Sequence, residues 1–170
     1  METIWGTILW QQFGASIDML EDSLRACPDE LWNDRSQQPE FWYLVYHTLF
    51  WLDLYLSGSA EGFTPPAPFT LDELDPAGLL PERVYTKDEL QTYLRHCRQK
   101  CQMTTESLTD ERARQSCVFS WGKFLSFGEL LLDNMRHVQH HVAQLNLILR
   151  QKIDSAPPWI AKARSNYDGG

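Results

Sequence analysis

At 170 residues the chain has the length of a single domain, enough to bury about 70% of its unfolded surface in one core. With 43% apolar and 22% charged residues it has the makeup of a soluble globular protein, not of a disordered one. A formal charge of −8 argues against the basic face that a nucleic-acid surface requires, and no run approaches the roughly 20 apolar residues of a membrane span. The segment nearest to one, Phe41 to Leu56, is interrupted by His47 and Asp53. The N-terminus lacks the basic flank of a signal peptide. The four cysteines, Cys27, Cys97, Cys101 and Cys117, have neither disulfide-scaffold density nor zinc-ribbon spacing. Reduced thiols in a cytoplasmic protein are the simplest expectation.

Thr3 to Ala26 reads as a first helix, with an inward stripe of Ile4, Ile8, Phe13, Ile17, Leu20 and Leu24 joined by Trp5 and Leu9. Cys27-Pro28 stops it, and Pro28 to Trp32 suits one tight turn. Pro39 suits a first helical turn, and Glu40 to Ser57 reads as a second helix, apolar almost all round and therefore mostly buried. His47 sits at its middle, where periodicity cannot orient it. Asp53 lies on a different helical face, which suggests exposure to solvent or an interface. Gly58 ends this helix. Ser59 to Tyr85 is a long connection holding five prolines (Pro65, Pro66, Pro68, Pro76, Pro81), unusual between bundle helices. It is expected on the surface, with a short turn near Leu71–Leu74, covering one end of the bundle.

Thr86 and Glu89 have capping-box spacing, and a third helix runs from Lys87 to Leu108. Cys97 and Cys101 complete its apolar stripe, so they read as small buried hydrophobes. Thr109 to Leu125 is a polar link that passes into an extended segment or a loose hairpin. Ser126 and Glu129 form a second capping box, and Phe127 to Gln151 carries clear helical periodicity. Pro157-Pro158-Trp159-Ile160 is expected to dock a tryptophan on the bundle, and Ser165 to Gly170 to fray.

On the last helix, at about 100° per residue from His137, the apolar arc spans roughly 20–160°. His141, at about 40°, falls inside it and His137 lies at its edge, while His140, at about 300°, belongs to the polar side. His137 and His141 therefore point inward one turn apart, where two neutral imidazoles can grip one cation. Three separate core histidines, each hydrogen-bonded to a neighbour, are the plainer alternative. A third histidine from a buried helix, His47, favours the metal reading, because three imidazoles with an open position make the arrangement of a catalytic zinc site. Asn134, at about 60° and one turn before, suits the same pocket. Gln144, at about 340°, either orients His137 or faces solvent.

The order His47, then His137-x-x-x-His141 followed by Gln144-Leu145, closely resembles the DinB/YfiT-like family of small metal-binding four-helix bundles. Pro28 to Trp32, His47-Thr48-Leu49, Trp121-Gly122 and Ser126 to Leu131 resemble the family as well, and together the matches cover most of the chain. The resemblance implies an all-α four-helix bundle with its Pro-rich crossover between helices 2 and 3. It implies one domain over residues 1–160 with a tail at 161–170. It implies a divalent metal, nickel or zinc, held by His47, His137 and His141; Asn134 and Gln144 remain candidates to surround it on their helical angles alone.

Relatives of this kind include transferases that use small thiols such as bacillithiol or mycothiol, and they often dimerise. The implied function is a metal-dependent S-transferase acting on a low-molecular-weight thiol and an electrophile, in which no protein cysteine is the nucleophile. A non-catalytic, stress-related dimeric module and a metal-dependent hydrolase remain as alternatives. Leu132 and Leu147, apolar on the polar arc of the last helix, suit a homodimer surface. Neither nucleic acid nor membrane is an expected partner.

Overall fold

The computed structural model describes residues 4–165. Its elements are α1 (Ile4–Ala26), α2 (Asp29–Trp32), α3 (Phe41–Ser57), a 3-10 turn (Asp72–Leu74), α4 (Lys87–Glu106), α5 (Asp110–Arg114), β1 (Ser116–Val118), β2 (Phe124–Ser126) and α6 (Phe127–Ile153). Four long helices, α1, α3, α4 and α6, form an all-α bundle in which α1 and α3 each pack against both α4 and α6. Both capping boxes form, Thr86 with Glu89 and Ser126 with Glu129, and they fix the first turns of α4 and α6. Glu40 is the N-cap of α3, which leaves Pro39 outside the helix, and Gly58 closes it in the left-handed conformation at φ 76°. α4 stops at Glu106 and α6 runs on to Ile153. The polar link resolves into α5 and a hairpin whose register pairs Ser116 with Ser126 and Val118 with Phe124. No described helix is long and apolar enough to cross a membrane.

Side-chain pairings set the helix directions. Lys87 reaches Asp29, Gln91 reaches Glu21 and Arg98 reaches Asp18, so α1 and α4 are antiparallel. Ser23 bonds Asn146 and Gln139 meets Met19, so α1 and α6 run the same way. Tyr85 packs on Tyr46 just before α4, and Lys100 bonds Ser57 near the end of α3, so α3 and α4 are parallel. A parallel successor cannot be joined by a tight turn. The chain must first return along α3, about 25 Å at 1.5 Å per residue, and the Pro-rich crossover spans that distance. It is anchored in its first part, where Phe63 meets Phe50 edge-on at 5.6 Å and Phe69 stacks on Tyr93 at 4.4 Å. Pro76 to Leu80 is exposed.

Three expectations are corrected here. Ile4, Trp5 and Ile8 are 73%, 71% and 47% exposed. Because α4 runs antiparallel and ends at Glu106, it stops short of the first turns of α1, so the inward stripe begins in effect at Trp10 and Phe13. Asp53 is not exposed but 1% accessible: Tyr93 donates to it at 3.1 Å, Lys100 at 2.5 Å, and His96 lies at 3.4 Å. Burial opposes its ionisation, but His96 and Lys100 outweigh it and hold the carboxyl below its usual range. Trp159 is 70% exposed, and smaller neighbours dock in its place. Ala163 is buried, its N–H donates to the Gln11 carbonyl, and its methyl lies where a Cβ on Gly14 would meet it at 2.6 Å. Cys97 and Cys101 are fully buried, as their stripe implies.

The docked segment is held by a buried ion pair. Arg98 donates to Asp18 at 2.8 Å and to the Arg164 carbonyl at 3.0 Å, while the Arg164 N–H donates to Asp18 at 2.7 Å. The fraying expected at the C-terminus falls, from residue 166 on, outside the described residues. Asp18→Ala leaves the Arg98 guanidinium buried without its carboxylate, and is expected to lower the unfolding free energy by about 3–5 kcal/mol in denaturant titrations. The Ala163 and Arg164 amides should then exchange at the rate of an unprotected chain.

Candidate metal centre

His47, on α3, faces His137 and His141, on α6, and one nitrogen from each lies within 4.8 Å of the others. Ring centroids are 5.4 Å apart for His47 and His137, 4.9 Å for His47 and His141, and 4.5 Å for the α6 pair. The antiparallel packing of α3 on α6 brings them together, and helical spacing stacks the α6 pair. His140 is exposed on the outer side of α6, as its arc position implies.

Hydrogen bonds select the tautomers. His47 Nδ1 lies 2.7 Å from Glu73 Oε2, and a carboxylate only accepts, so Nδ1 carries a proton and Nε2 is the nitrogen left to face a cation. His141 Nδ1 lies 2.7 Å from Gln144 Oε1, which also accepts, so again Nε2 is left bare. His141 Nε2 and His137 Nε2 face each other at 3.1 Å, and among the described residues His137 Nδ1 is buried without a partner. Two lone pairs at that distance repel unless a proton or a cation lies between them. Ligand atoms on a tetrahedral zinc at about 2.0–2.1 Å are about 3.3 Å apart, close to the 3.1 Å between the two α6 nitrogens, with the His47 nitrogen within 4.8 Å of both. The donor set fits a divalent metal.

The two histidines of α6 are also in the protonation state a metal needs. Burial pushes His137 down to about 3, aided by the neighbouring His141 and His47. His141 falls to about 4, again mainly by burial, with Gln144 working in the opposite direction. Both are neutral imidazoles at pH 7.

Glu73, which sequence reasoning did not find, organises one side of the site. Besides His47 it accepts from Tyr43 Oη at 2.6 Å and Trp51 Nε1 at 2.9 Å. Burial works to raise its carboxyl, but the bonds from His47 and Tyr43 outweigh that and hold it below the usual range. It belongs to the 3-10 turn of the crossover, so the connection covers the site with a charge and not merely with bulk. The only sequence signal is the short turn expected at Leu71–Leu74. Gln144 is corrected to a partner of His141, not of His137. Asn134 is fully buried, but its amide donates to the Leu52 carbonyl at 3.0 Å, and among the described residues no hydrogen bond joins it to any of the three imidazoles. His137 also borders an open cleft of about 560 Å³, walled by Tyr55, Lys123, Asp133 and Arg136.

The sequence matches the family model described as DinB superfamily over residues 12–145. Among solved structures, that of a DinB-like protein (YjoA) from Bacillus subtilis is similar, with a TM-score of 0.61 at 15% identity, covering 92% of this chain and 99% of that one. That likeness shows a shared fold. No curated protein matches the chain significantly.

Two outcomes follow from the geometry. In metal-free protein the two depressed histidines take up protons on unfolding, so stability is fully present above about pH 6.5 and is lost as pH falls through 6.5 towards 4 and 3. Urea titrations should show a slope approaching about 1.4 kcal/mol per pH unit for each histidine in that window, flattened in His137→Gln. Glu73→Gln removes the charge that orients His47, and should weaken cobalt or zinc binding by about 10–100-fold in competition with a chromophoric chelator.

Proposed function

This chain belongs to the DinB superfamily, and from that premise we propose that it is a metal-dependent S-transferase for a low-molecular-weight thiol and an electrophilic small molecule. Its metal would be held by His47, His137 and His141, with nickel or zinc the expected ion. The observation that carries the reading is the convergence of three imidazole nitrogens within 4.8 Å beside an open cleft. When bound, a divalent ion with three neutral ligands keeps its charge and lowers the pKa of a thiol sulfur at a remaining position.

The protein's part is to hold and to shape. Glu73 and Gln144 clamp the Nδ1–H groups of His47 and His141, so that each presents the same nitrogen inward. Desolvation keeps the α6 pair neutral at pH 7, so neither ring carries the second proton of an imidazolium that a metal would have to displace. Trp51, in contact with His47, meets Trp121 of the hairpin at 5.4 Å, and Tyr55 meets Phe119 likewise at 5.4 Å. These rings give the neighbourhood an apolar wall against which the carbon skeleton of a small substrate can pack. The buried cysteines take no part: burial raises the Cys97 and Cys101 thiols well above their usual range, so neither is a thiolate. A homodimer in the cytoplasm completes the proposal, and the exposed Leu132 and Leu147 are the surface that supports it.

Purified protein is expected to carry about one metal ion per chain by elemental analysis, and His47→Ala and His141→Ala to lose most of it. Unchanged metal content in both variants defeats the site. In cobalt-substituted protein, added thiol should produce a sulfur-to-cobalt charge-transfer band; a spectrum indifferent to every thiol in a panel defeats the transferase reading.

A further inference from the structure

The cleft beside His137 has a floor made by one face of α6. Asp133, Arg136, His137 and His140 stand at helical spacings of three and four and all line it. Lys123 enters from the hairpin, pairs with Asp133, and lies over the Tyr55 ring at 4.7 Å. Those two charges cancel. Arg136 has no such partner: among the described residues it makes neither an ion pair nor a hydrogen bond, and the carboxylate one turn away is already engaged by Lys123. On a chain whose formal charge is −8, an uncompensated guanidinium at a cavity is the exception. The cavity, at about 560 Å³, falls in the range of small-molecule sites.

We infer that Arg136 receives the anionic group, a carboxylate or a phosphate, of the small molecule that enters the cleft next to His137. The planar fork of a guanidinium matches two oxygens of either group at once. Lys123, tied to Asp133, contributes little net attraction, so selectivity for charge rests on one side chain. The inference gives the proposed transferase its substrate class, a small acidic thiol or electrophile, and for that meaning it rests on the reading above. The contact itself involves only this chain's own residues and can be tested without any metal.

In metal-free protein, titration with propionate and separately with inorganic phosphate is followed by nitrogen-15 NMR of the backbone and of the Arg136 Nε–H. Saturable shifts at Arg136, His137 and His140, at least tenfold weaker in Arg136→Ala and partly restored in Arg136→Lys, are the expected result. The tighter of the two anions identifies the source chemistry. Shifts that do not saturate, or that persist unchanged in Arg136→Ala, overturn the proposal. Arg136 is exposed, so the variant should keep the parent's thermal midpoint, which is measured alongside. In cobalt-loaded protein, 3-mercaptopropionate should bind about tenfold more tightly than 2-mercaptoethanol, and Arg136→Ala should erase the difference. Equal binding of the two thiols to the parent protein also overturns the inference. If neither thiol perturbs the cobalt spectrum, the transferase reading fails while the propionate and phosphate titrations still decide the role of Arg136.

Discussion

The hydrogen bond between Glu73 and His47 is the contact on which the site depends. Without it, the His47 ring would be free to turn and to exchange its tautomer, and only His141, held by Gln144, would remain clamped. The carboxylate is held in turn by Tyr43 and Trp51, each one turn from His47 on α3. A single acidic side chain thus binds three groups of one helix face and fixes the position of the crossover that carries it. Its negative charge is tolerated at this depth because every bond it accepts favours the ionised form.

That arrangement follows from helix direction. Because α3 and α4 run parallel, the chain between them must travel the length of the bundle, and in doing so it passes over the face where His47 emerges. A bundle with simple alternating helices would have joined them by a short turn and would have had no residue to offer there. The hairpin before α6 plays a similar part on the other flank, bringing Trp121 against Trp51 and Lys123 against Asp133. Both coverings are irregular or short elements, set on a rigid helical frame that supplies all three imidazoles.

Much of the frame is legible in the sequence. The capping boxes at Thr86 and Ser126 announce their helices, and the arc of α6 separates His137 and His141 from His140 by angle alone. What escaped has physical reasons. α3 is apolar on nearly every side, so no moment could tell which way Asp53 or His47 points, and Asp53 proves to face Lys100 and Tyr93 on another helix. Glu73 lies in a segment without periodicity, where sequence spacing carries no spatial information. The first turns of α1 look amphipathic, yet α4 ends too early to cover them, a matter of helix registry that local pattern does not encode. Gln144 sits at the margin between core and solvent, and its choice of His141 follows from being three residues on along the same helix.

The crossover is divided in its tolerance of change. Loop lengthening ordinarily costs little, growing only with the logarithm of length. Here that latitude is confined to the exposed run from Pro76 to Leu80, where extra residues would hang in solvent. Upstream, from Phe63 to Glu73, the same insertion would slide an aromatic anchor out of its socket and carry the carboxylate away from its imidazole. Divergent descendants of this chain are therefore free to embroider one half of the strap, while the other half is bound to keep its length.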